Sequence, residues 1–391
     1  MPNKMKNQAA IVGIGQTEFS KDSGRTEMTL AVECVTAALD DAGLSPKDVD
    51  GMCVFTMENN PEIQVQRNIG GGDLRFYSRI HYGGGAACAT VHHAAMAVAT
   101  GSADVVVCYR AMNERSGRRF GSGVQDRKQE ASAEGSQYAM YSPFGLTTPG
   151  SWVAMYTQRY MHQYGATSED LGRVAVSSRG YAAKNPDAWF YERPITLEEH
   201  QKSRWIVEPL HLLDCCQESD GGVAVVITSA ERAKDLKQKP VMIKGSGQGA
   251  ANQQHMMTSY YRPDITGLPE LGLAIREAYE SAGVGPDDIG AGVLYDAFSP
   301  FVLITLEEMG IVKPGEAADF IKDGHLDPGG RLPSNTNGGQ LGEAYIHGMN
   351  GVNEGVRLIR GTSSNQPGDT DNVLVTGGSG VPTSALVLGQ P

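Results

Sequence analysis

The chain has 391 residues, which exceeds a typical single hydrophobic core and predicts two domains or one large domain built from two units. Its formal charge of −12 argues against non-specific binding to nucleic acid, because phosphate contacts need a basic face. No apolar run approaches the length of a membrane span, and the first residues read as a short tail rather than a signal peptide. We therefore expect a cytoplasmic protein that binds neither nucleic acid nor a membrane.

Six cysteines are scattered along the chain, and none forms a Cys-x-x-Cys pair. Their spacing indicates neither a zinc site nor a redox motif, so we expect reduced thiols. His92 and His93 are adjacent in a predicted helix and cannot both face one way. We therefore predict no metal site in this chain.

Strands and helices alternate in the first part of the chain. Apolar runs predict buried strands, and apolar residues at helical spacing predict helices that end at Gly43 and Gly101. A triple glycine, Gly83–Gly85, separates a short strand from an alanine-rich helix. In chain order the predicted elements are strand Ala9–Ile14, helix Met28–Ala42, strand Val49–Phe55, strand Phe76–His81, helix Ala86–Thr100 and strand Val105–Tyr109.

The middle of the chain, residues 111–212, loses this alternation and is rich in Arg, Gly and Ser. Long segments of this kind are usually functional, so we interpret it as an insertion that forms a cap. It contains a predicted helix, Ser151–Tyr164, and a basic segment, Arg115–Lys128. Regular elements return with a strand at Gly221–Thr228 and a short helix at Ala230–Leu236.

A repeat relates the two parts of the chain. ALDDAGLSPKDVD at Ala38–Asp50 matches AYESAGVGPDDIG at Ala278–Gly290, and each reads as a helix end, a glycine cap, a proline turn and a strand entry. Further counterparts are Ala9–Ile14 with Pro240–Lys244, Gly83–Gly101 with Gly338–Gly361, and Val105–Tyr109 with Val373–Thr376. The repeat predicts two α/β halves, residues 1–238 and 239–391, with two mixed sheets covered by helices.

Three stretches combine glycines with ionisable side chains, and we expect them to form the walls of one active site. Asn335–Gly348 pairs two adjacent glycines with Tyr345 and His347. The other predicted walls are Arg79–Ala89 and Val293–Pro300.

Tyr295 and Asp296 follow a predicted strand, at the kind of position where α/β proteins build their sites. Tyr295 is a candidate acid or base, and Asp296 is a candidate orienting group. The alternative is a buried tyrosine whose hydroxyl is satisfied within the protein, and this alternative applies equally to Tyr345. Gly83–Gly85 either presents backbone N–H groups to an oxyanion or forms only a tight turn.

Together these stretches resemble the thiolase superfamily, in particular the branch related to sterol carrier protein X thiolase. The resemblance covers nearly the whole chain and implies a five-layer α-β-α-β-α core made of two similar halves. The family's nucleophilic cysteine position falls at Gly84, so Cys88 stands four residues late. The family's two catalytic histidine positions hold Tyr295 and Tyr345, and the glycine-rich Val373–Gly380 lacks the second cysteine. Claisen condensation through an acyl-cysteine is therefore not expected.

Within the superfamily the chain most resembles the steroid side-chain aldolases of actinobacteria. That resemblance implies retro-aldol cleavage of a β-hydroxyacyl-CoA of the 17-hydroxy-20-carboxyl type, which yields a 17-ketosteroid and propionyl-CoA. The CoA thioester is then the substrate, and no cofactor is implied in this chain. The implied partner is a zinc-ribbon/OB-fold protein, and the implied assembly is a homodimer within a heterotetramer. Val105–Tyr109 is the candidate strand for the homodimer interface.

A retro-aldol step needs a base for the β-hydroxyl, a stabiliser for the thioester enolate and an acid for its α-carbon. Under the resemblance, one of Tyr295 and Tyr345 removes the hydroxyl proton and the other protonates the enolate, and the order stays open. A tyrosine pKa of about 10 must be lowered by neighbours before the phenol can act as a base. The implied supporting residues are His347, Asp296 and Ser299, and the implied contacts to the thioester oxygen are Gly84, Gly85, Gly378 and Gly380.

Two other interpretations remain open. A non-catalytic thiolase-like subunit that binds acyl-CoA or a partner fits the missing cysteine equally well. A true thiolase that uses Cys88 is the third. The basic segment Arg115–Lys128 either contacts CoA phosphates or an acidic partner, or forms a solvated loop.

Overall fold

The structure is a computed structural model that describes residues 5–117, 119–120, 133–368 and 370–391. The strands are β1 (Ala9–Gln16), β2 (Gly51–Phe55), β3 (Phe76–Ile80), β4 (Val105–Asn113), β5 (Trp205–Val207), β6 (Leu210–His211), β7 (Asp220–Ser229), β8 (Val241–Gly249), β9 (Ala291–Val293), β10 (Asn372–Gly377) and β11 (Thr383–Gly389). The helices up to the end of the insertion are α1 (Glu27–Ala42), α2 (Glu62–Asn68), α3 (Ala87–Ala99), α4 (Ala133–Tyr141), α5 (Pro149–Tyr164), α6 (Ser168–Ala182) and α7 (Leu197–Lys202). The later helices are α8 (Ala230–Ala233), α9 (Pro269–Ala282), α10 (Ser299–Glu308), α11 (Ala317–Lys322), α12 (Gly339–Gly342) and α13 (Met349–Arg360).

Nine strands form one mixed sheet in the order β3-β2-β4-β7-β1-β8-β11-β10-β9. The two halves meet where β1 pairs with β8, through Ala10 with Met242 and Ile11 with Val241. The prediction of two mixed sheets is therefore wrong in one respect. The strands of the two halves form one continuous sheet, which is joined where β1 pairs with β8.

The layers are defined by which helices the two faces of the sheet contact. In β4, Val105 and Val107 face a cluster that includes α1, whereas Val106 and Cys108 face a central cluster that includes α3 and α13. Helix α3 contacts strands of both halves, and α9 covers the outer face of β8 and β11. Because the strands are buried on both faces, their sequences are continuous apolar runs. The five-layer α-β-α-β-α prediction is confirmed.

The predicted repeat is also present in three dimensions. Helices α1 and α9 both end at a left-handed glycine, with φ of 72° at Gly43 and 70° at Gly283. A short 3₁₀ turn follows each glycine and contains one aspartate, Asp48 in the first half and Asp288 in the second. Each aspartate accepts a 2.8 Å hydrogen bond from the backbone N–H three residues earlier. Each turn leads into a strand, so the same local interactions give the backbone the same course in both halves.

The described part of the insertion contains more helices than its composition suggests. The predicted helix at residues 151–164 is α5, which begins at Pro149 behind a Thr148 cap. Helices α4, α6 and α7 were not predicted, and α6 packs against α10, α11 and α12 of the other half. The insertion therefore contacts the C-terminal half, and some of its residues line the cavity described below.

The prediction that Val105–Tyr109 forms the homodimer interface is wrong. It forms most of β4, which pairs with β2 on one side and β7 on the other. Its backbone groups are therefore used inside the chain and are not free to pair with a second copy. The terminal strand of the sheet on this side is β3, where the side chain of Tyr77 is 68% exposed.

Within the described ranges, no helix combines the length and the apolar character needed to cross a bilayer.

Candidate active site

A cavity of about 800 Å³ lies where the two halves and the insertion meet. All three predicted walls contribute to it, through Gly83 and Gly84, through Tyr295, and through Tyr345 and His347. The insertion adds apolar side chains, and the loop before β7 adds polar ones. Those from the insertion include Tyr138, Trp152, Phe190, Ile206 and Leu212, and those from the loop include Cys216, Gln217 and Glu218.

Tyr295 is held by its backbone and by the glycines that surround its ring. Its N–H donates a 2.9 Å hydrogen bond to Thr376 Oγ1 at the end of β10. A Cβ atom at Gly84 would overlap the Tyr295 hydroxyl, and one at Gly348 would lie 3.0 Å from the ring. The phenol thus occupies the space that any side chain at position 84 would need.

The Tyr295 and Tyr345 hydroxyls lie 3.1 Å apart, and Tyr295 donates the hydrogen bond. Their rings meet edge to face, with centroids 6.4 Å apart. Burial raises the pKa of Tyr295, and it raises the pKa of Tyr345 well above the ordinary value. Both phenols are therefore protonated at neutral pH, so neither is a ready base.

His347 ends a buried chain of polar groups beneath the cavity. Glu58 Oε2 pairs with an Arg110 guanidinium nitrogen at 3.0 Å, and Arg110 Nε donates to His347 Nδ1 at 3.0 Å. Burial and the nearby Arg110 charge lower the pKa of His347 well below its ordinary value. Because Nδ1 accepts a hydrogen bond, the neutral ring carries its proton on Nε2. The ring packs edge-on against Tyr345, with centroids 5.2 Å apart.

Asp296 and Ser299 do not line the cavity. The Asp296 carboxylate is buried and accepts hydrogen bonds from the N–H groups of Gln340 at 2.7 Å and Leu341 at 3.4 Å. Burial raises the pKa of Asp296 to about 7. Ser299 begins α10, and its buried hydroxyl has no hydrogen-bond partner among the described residues. Asp296 therefore positions the start of α12 rather than the Tyr295 phenol.

Two sequence profiles cover most of the chain. The profile described as Thiolase, N-terminal domain, matches residues 9–231, and the one described as Thiolase C-terminal domain-like matches residues 249–389. The chain belongs to the thiolase family.

Two curated relatives extend over almost the whole chain. A steroid side-chain-cleaving aldolase of Thermomonospora curvata is 65% identical over 381 residues, which is 97% of each chain. A 17-hydroxy-3-oxo-4-pregnene-20-carboxyl-CoA lyase of Mycobacterium tuberculosis is 61% identical over 386 residues, 98% of this chain and 100% of the relative. The solved structure of an Ltp2-ChsH2(DUF35) aldolase is 63% identical, covers 99% of this chain and 98% of its own, and superimposes with a TM-score of 0.95.

Cys88, the residue that a thiolase mechanism would need here, faces away from the cavity. It is fully buried, with Sγ 3.5 Å from the Val375 carbonyl in β10. Burial also raises the pKa of its thiol, which disfavours the thiolate. Cys215 and Cys216 do line the cavity, but burial raises the pKa of each. No described thiol in this thiolase-family site therefore has the lowered pKa of a nucleophile.

The four glycines predicted to contact the thioester oxygen divide into two pairs. Gly84 and Gly378 line the cavity. The Gly85 carbonyl accepts a 2.7 Å hydrogen bond from Ser384, and the Gly380 carbonyl accepts one of 2.6 Å from the Met257 N–H. Gly85 and Gly380 lie outside the cavity wall and shape the turns behind it.

Two ionisable cavity residues were missed by sequence reasoning. Burial and the Glu218 charge raise the pKa of Glu114 to about 8, and burial lowers the pKa of Lys21 to about 8. Lys21 Nζ donates to Gln217 Oε1 at 3.0 Å and to the Glu218 carbonyl at 2.6 Å. Glu114 directly follows strand β4, and an acid at the end of a buried strand was an available signal. We find no comparable sequence signal for Lys21.

The basic segment is partly described. Residues 118 and 121–128 lie outside the described residues. Arg115 and Arg119 both contact Glu218, at 3.5 and 2.8 Å. Arg119 also lines the cavity.

Proposed function

We propose that this chain is a retro-aldolase that cleaves a 17-hydroxy steroid acyl-CoA to a 17-ketosteroid and propionyl-CoA. The observation that carries the proposal is the hydrogen-bonded Tyr295–Tyr345 pair on the cavity wall, at the two positions where the resemblance implies catalytic histidines in a thiolase. The names of the two curated relatives reported above support both the reaction and the substrate class.

The protonated phenols suit the acid half of the reaction. Cleavage of the carbon–carbon bond leaves an electron pair on the α-carbon of the thioester enolate, and one of Tyr295 and Tyr345 donates the proton that quenches it. The second phenol passes a proton to the first through the 3.1 Å hydrogen bond and contacts the reacting hydroxyl. Which tyrosine faces the α-carbon is set by how the substrate enters.

His347 supplies a donor for the developing charge on the thioester oxygen. Its neutral ring presents Nε2–H near Gly83, since a Cβ added at that glycine would lie 3.6 Å from Nε2. The hydrogen bond from Arg110 fixes the ring orientation, so this donor is preorganised before the reaction begins. The backbone at Gly84 and Gly378 lines the same part of the cavity.

The cavity is large enough for a fused-ring substrate. Its volume of about 800 Å³ lies in the range of pockets that enclose small ligands, and most of its wall is apolar. Trp152, Phe298 and Phe301 offer flat apolar surfaces to a steroid. Both features support a steroid acyl group rather than a short acyl chain.

We propose that this chain functions in an assembly with a partner protein. The name of the similar solved aldolase joins two components, which supports a partner subunit for this chain, and we propose that this partner is a zinc-ribbon/OB-fold protein. We propose a homodimer within a heterotetramer, with β3 as the strand edge available for pairing. All six cysteines are free thiols, which supports a reducing, cytoplasmic location.

Single Tyr→Phe substitutions test the catalytic pair. Tyr295→Phe and Tyr345→Phe each remove one proton donor, and we expect each to lower kcat by about 10²- to 10⁴-fold. The assay measures ketosteroid release from a 17-hydroxy steroid acyl-CoA, with and without the partner. Tyr279→Phe is the matched control, since the Tyr279 hydroxyl is buried on α9 without a partner among the described residues. Full activity of either site variant would remove its assigned role, and no activity of the wild-type chain with its partner would favour a non-catalytic subunit.

A further inference from the structure

The proposed reaction lacks a base among the residues already assigned. Both phenols carry their protons at neutral pH, and the neutral His347 ring accepts from Arg110 at Nδ1, so its free nitrogen is a donor. A retro-aldol cleavage begins when the β-hydroxyl loses its proton. The proton acceptor must therefore be another group on the cavity wall, and this inference rests on the proposed function.

Glu114 is placed beside the tyrosine pair by a short backbone connection. Its N–H donates a 3.3 Å hydrogen bond to the Ser219 carbonyl. The Ser219 hydroxyl accepts a 3.1 Å hydrogen bond from the Tyr345 N–H. One serine thus holds the backbones of Glu114 and Tyr345 together, although the two residues lie on different halves of the chain.

Glu114 lines the cavity, and one oxygen of its carboxyl is left unpaired. The residue is 4% exposed, and its Oε2 atom is buried without a hydrogen-bond partner among the described residues. A buried unpaired carboxylate oxygen is costly, so its retention at a cavity wall indicates a function. Glu343 provides the contrast, because its equally buried carboxylate accepts hydrogen bonds from Asn337 and Asn350 and lies outside the cavity wall.

The charges around Glu114 leave it able to change protonation state near neutral pH. The Glu218 carboxylate disfavours its ionisation, and the Arg110 guanidinium favours it. The negative charge of Glu114 in turn raises the pKa of both tyrosines, so each phenol holds its proton while Glu114 is ionised. The titratable and charged groups that interact with Glu114 are Lys21, Arg110, Arg119, Cys216, Glu218, Tyr295 and Tyr345.

We propose that Glu114 is the general base of the cleavage, taking the β-hydroxyl proton directly or through a tyrosine hydroxyl. As that proton leaves, the C–O⁻ electron pair forms the ketone and the carbon–carbon pair moves into the thioester enolate. A tyrosine donates its proton to the α-carbon, and Glu114 returns its proton to the tyrosine pair. The cycle neither gains nor loses protons, and no oxidant, reductant or cofactor enters it.

Glu114→Gln tests this assignment in the full chain with its partner. For the wild type we expect kcat/KM to rise with pH through a midpoint near 8, because the base acts only when ionised. Glu114→Gln should lower kcat by about 10²- to 10⁴-fold and abolish that rise. Glu218→Gln is the matched variant at a neighbouring cavity carboxylate. It should keep the rise but move its midpoint to lower pH, since a charge that raises the pKa of Glu114 is gone.

The outcomes separate this inference from the proposed function. A wild-type chain that cleaves no β-hydroxyacyl-CoA overturns both. A wild-type chain that cleaves, together with a Glu114→Gln variant of equal activity and unchanged pH profile, overturns the role of Glu114 alone. Should the amide variant fail to fold, Glu114→Asp keeps an ionisable group at this position. It is then expected to lower kcat and retain the pH-dependent rise, and loss of the rise would contradict the assignment.

Discussion

At the scale of residues, the site combines two phenols that hold their protons, Tyr295 and Tyr345, with the buried carboxyl group of Glu114 on the same cavity wall. Tyr295 and Tyr345 could be predicted as a pair, because the resemblance assigns each to a position where the family holds a histidine. The direction of their pKa shifts could not be predicted, since the rise follows from burial by segments that lie far apart in the chain. Glu114 was missed although it directly follows strand β4, and its pKa could not be predicted for the same reason. Its chemistry depends on the cavity wall and not on its sequence neighbours.

Asp296 gives a stability prediction with a definite sign. Its folded-state pKa of about 7 exceeds the ordinary value of 3.8, so its stabilising contribution is complete below about pH 4 and is lost as pH rises towards 7. Asp296→Asn cannot ionise, and we expect its free energy of unfolding to fall less steeply than that of the wild type between pH 4 and 7. Denaturant unfolding at a series of pH values measures both slopes.

Asp48→Asn is the control with the opposite sign. The Asp48 carboxylate accepts hydrogen bonds from the Ser45 hydroxyl and backbone, which lower its pKa. Its contribution is present above the unfolded pKa and is lost only as pH falls below it, so this variant should leave the slope between pH 4 and 7 unchanged. Equal slopes for wild type and Asp296→Asn would contradict the account of Asp296.

At the scale of elements, the periodicity of apolar residues predicted most of the core strands and helices. Two predictions failed for physical reasons, those for helix α6 and for Val105–Tyr109. Helix α6 was missed because two glycines and the adjacent Ser177 and Ser178 lower its helix propensity. Thr167 and Asp170 form a capping box that could have revealed it. The run Val105–Tyr109 was assigned to an interface, yet a fully apolar run is typical of an interior strand. The partly exposed β3 has the alternation of an edge strand.

One glycine substitution, with a control in helix α6, tests how closely the turn before α3 fits the site. Gly84→Ala places a Cβ against the Tyr295 hydroxyl, so we expect it to displace the phenol and lower kcat/KM at least tenfold. Gly180→Ala is the control, because a Cβ there meets open space in helix α6 and should stabilise the chain by about 0.5–1 kcal/mol. Steady-state kinetics and thermal unfolding measure the two effects. An active Gly84→Ala variant would show that the Tyr295 position is not critical.

At the scale of the whole molecule, the repeat predicted two halves, and the structure shows what their junction provides. Helices α3 and α13 fill the centre, and the loops that enter them bring Gly84 and Tyr345 to one cavity. The insertion supplies the apolar wall on the opposite side. The reacting groups come from both halves, so the site exists only when the two are assembled. Sequence spacing could suggest its walls, but not its volume or the place of the insertion.

Product analysis is the most direct test of the claim that two tyrosines have replaced cysteine–histidine chemistry. The purified chain and its zinc-ribbon/OB-fold partner are incubated in D₂O with a 17-hydroxy steroid acyl-CoA, and the products and the intact protein are measured by mass spectrometry. We predict equal amounts of 17-ketosteroid and propionyl-CoA, one deuterium on the propionyl α-carbon, and no mass added to the chain. An acyl adduct on Cys88, or no cleavage by the wild-type complex, would contradict the account.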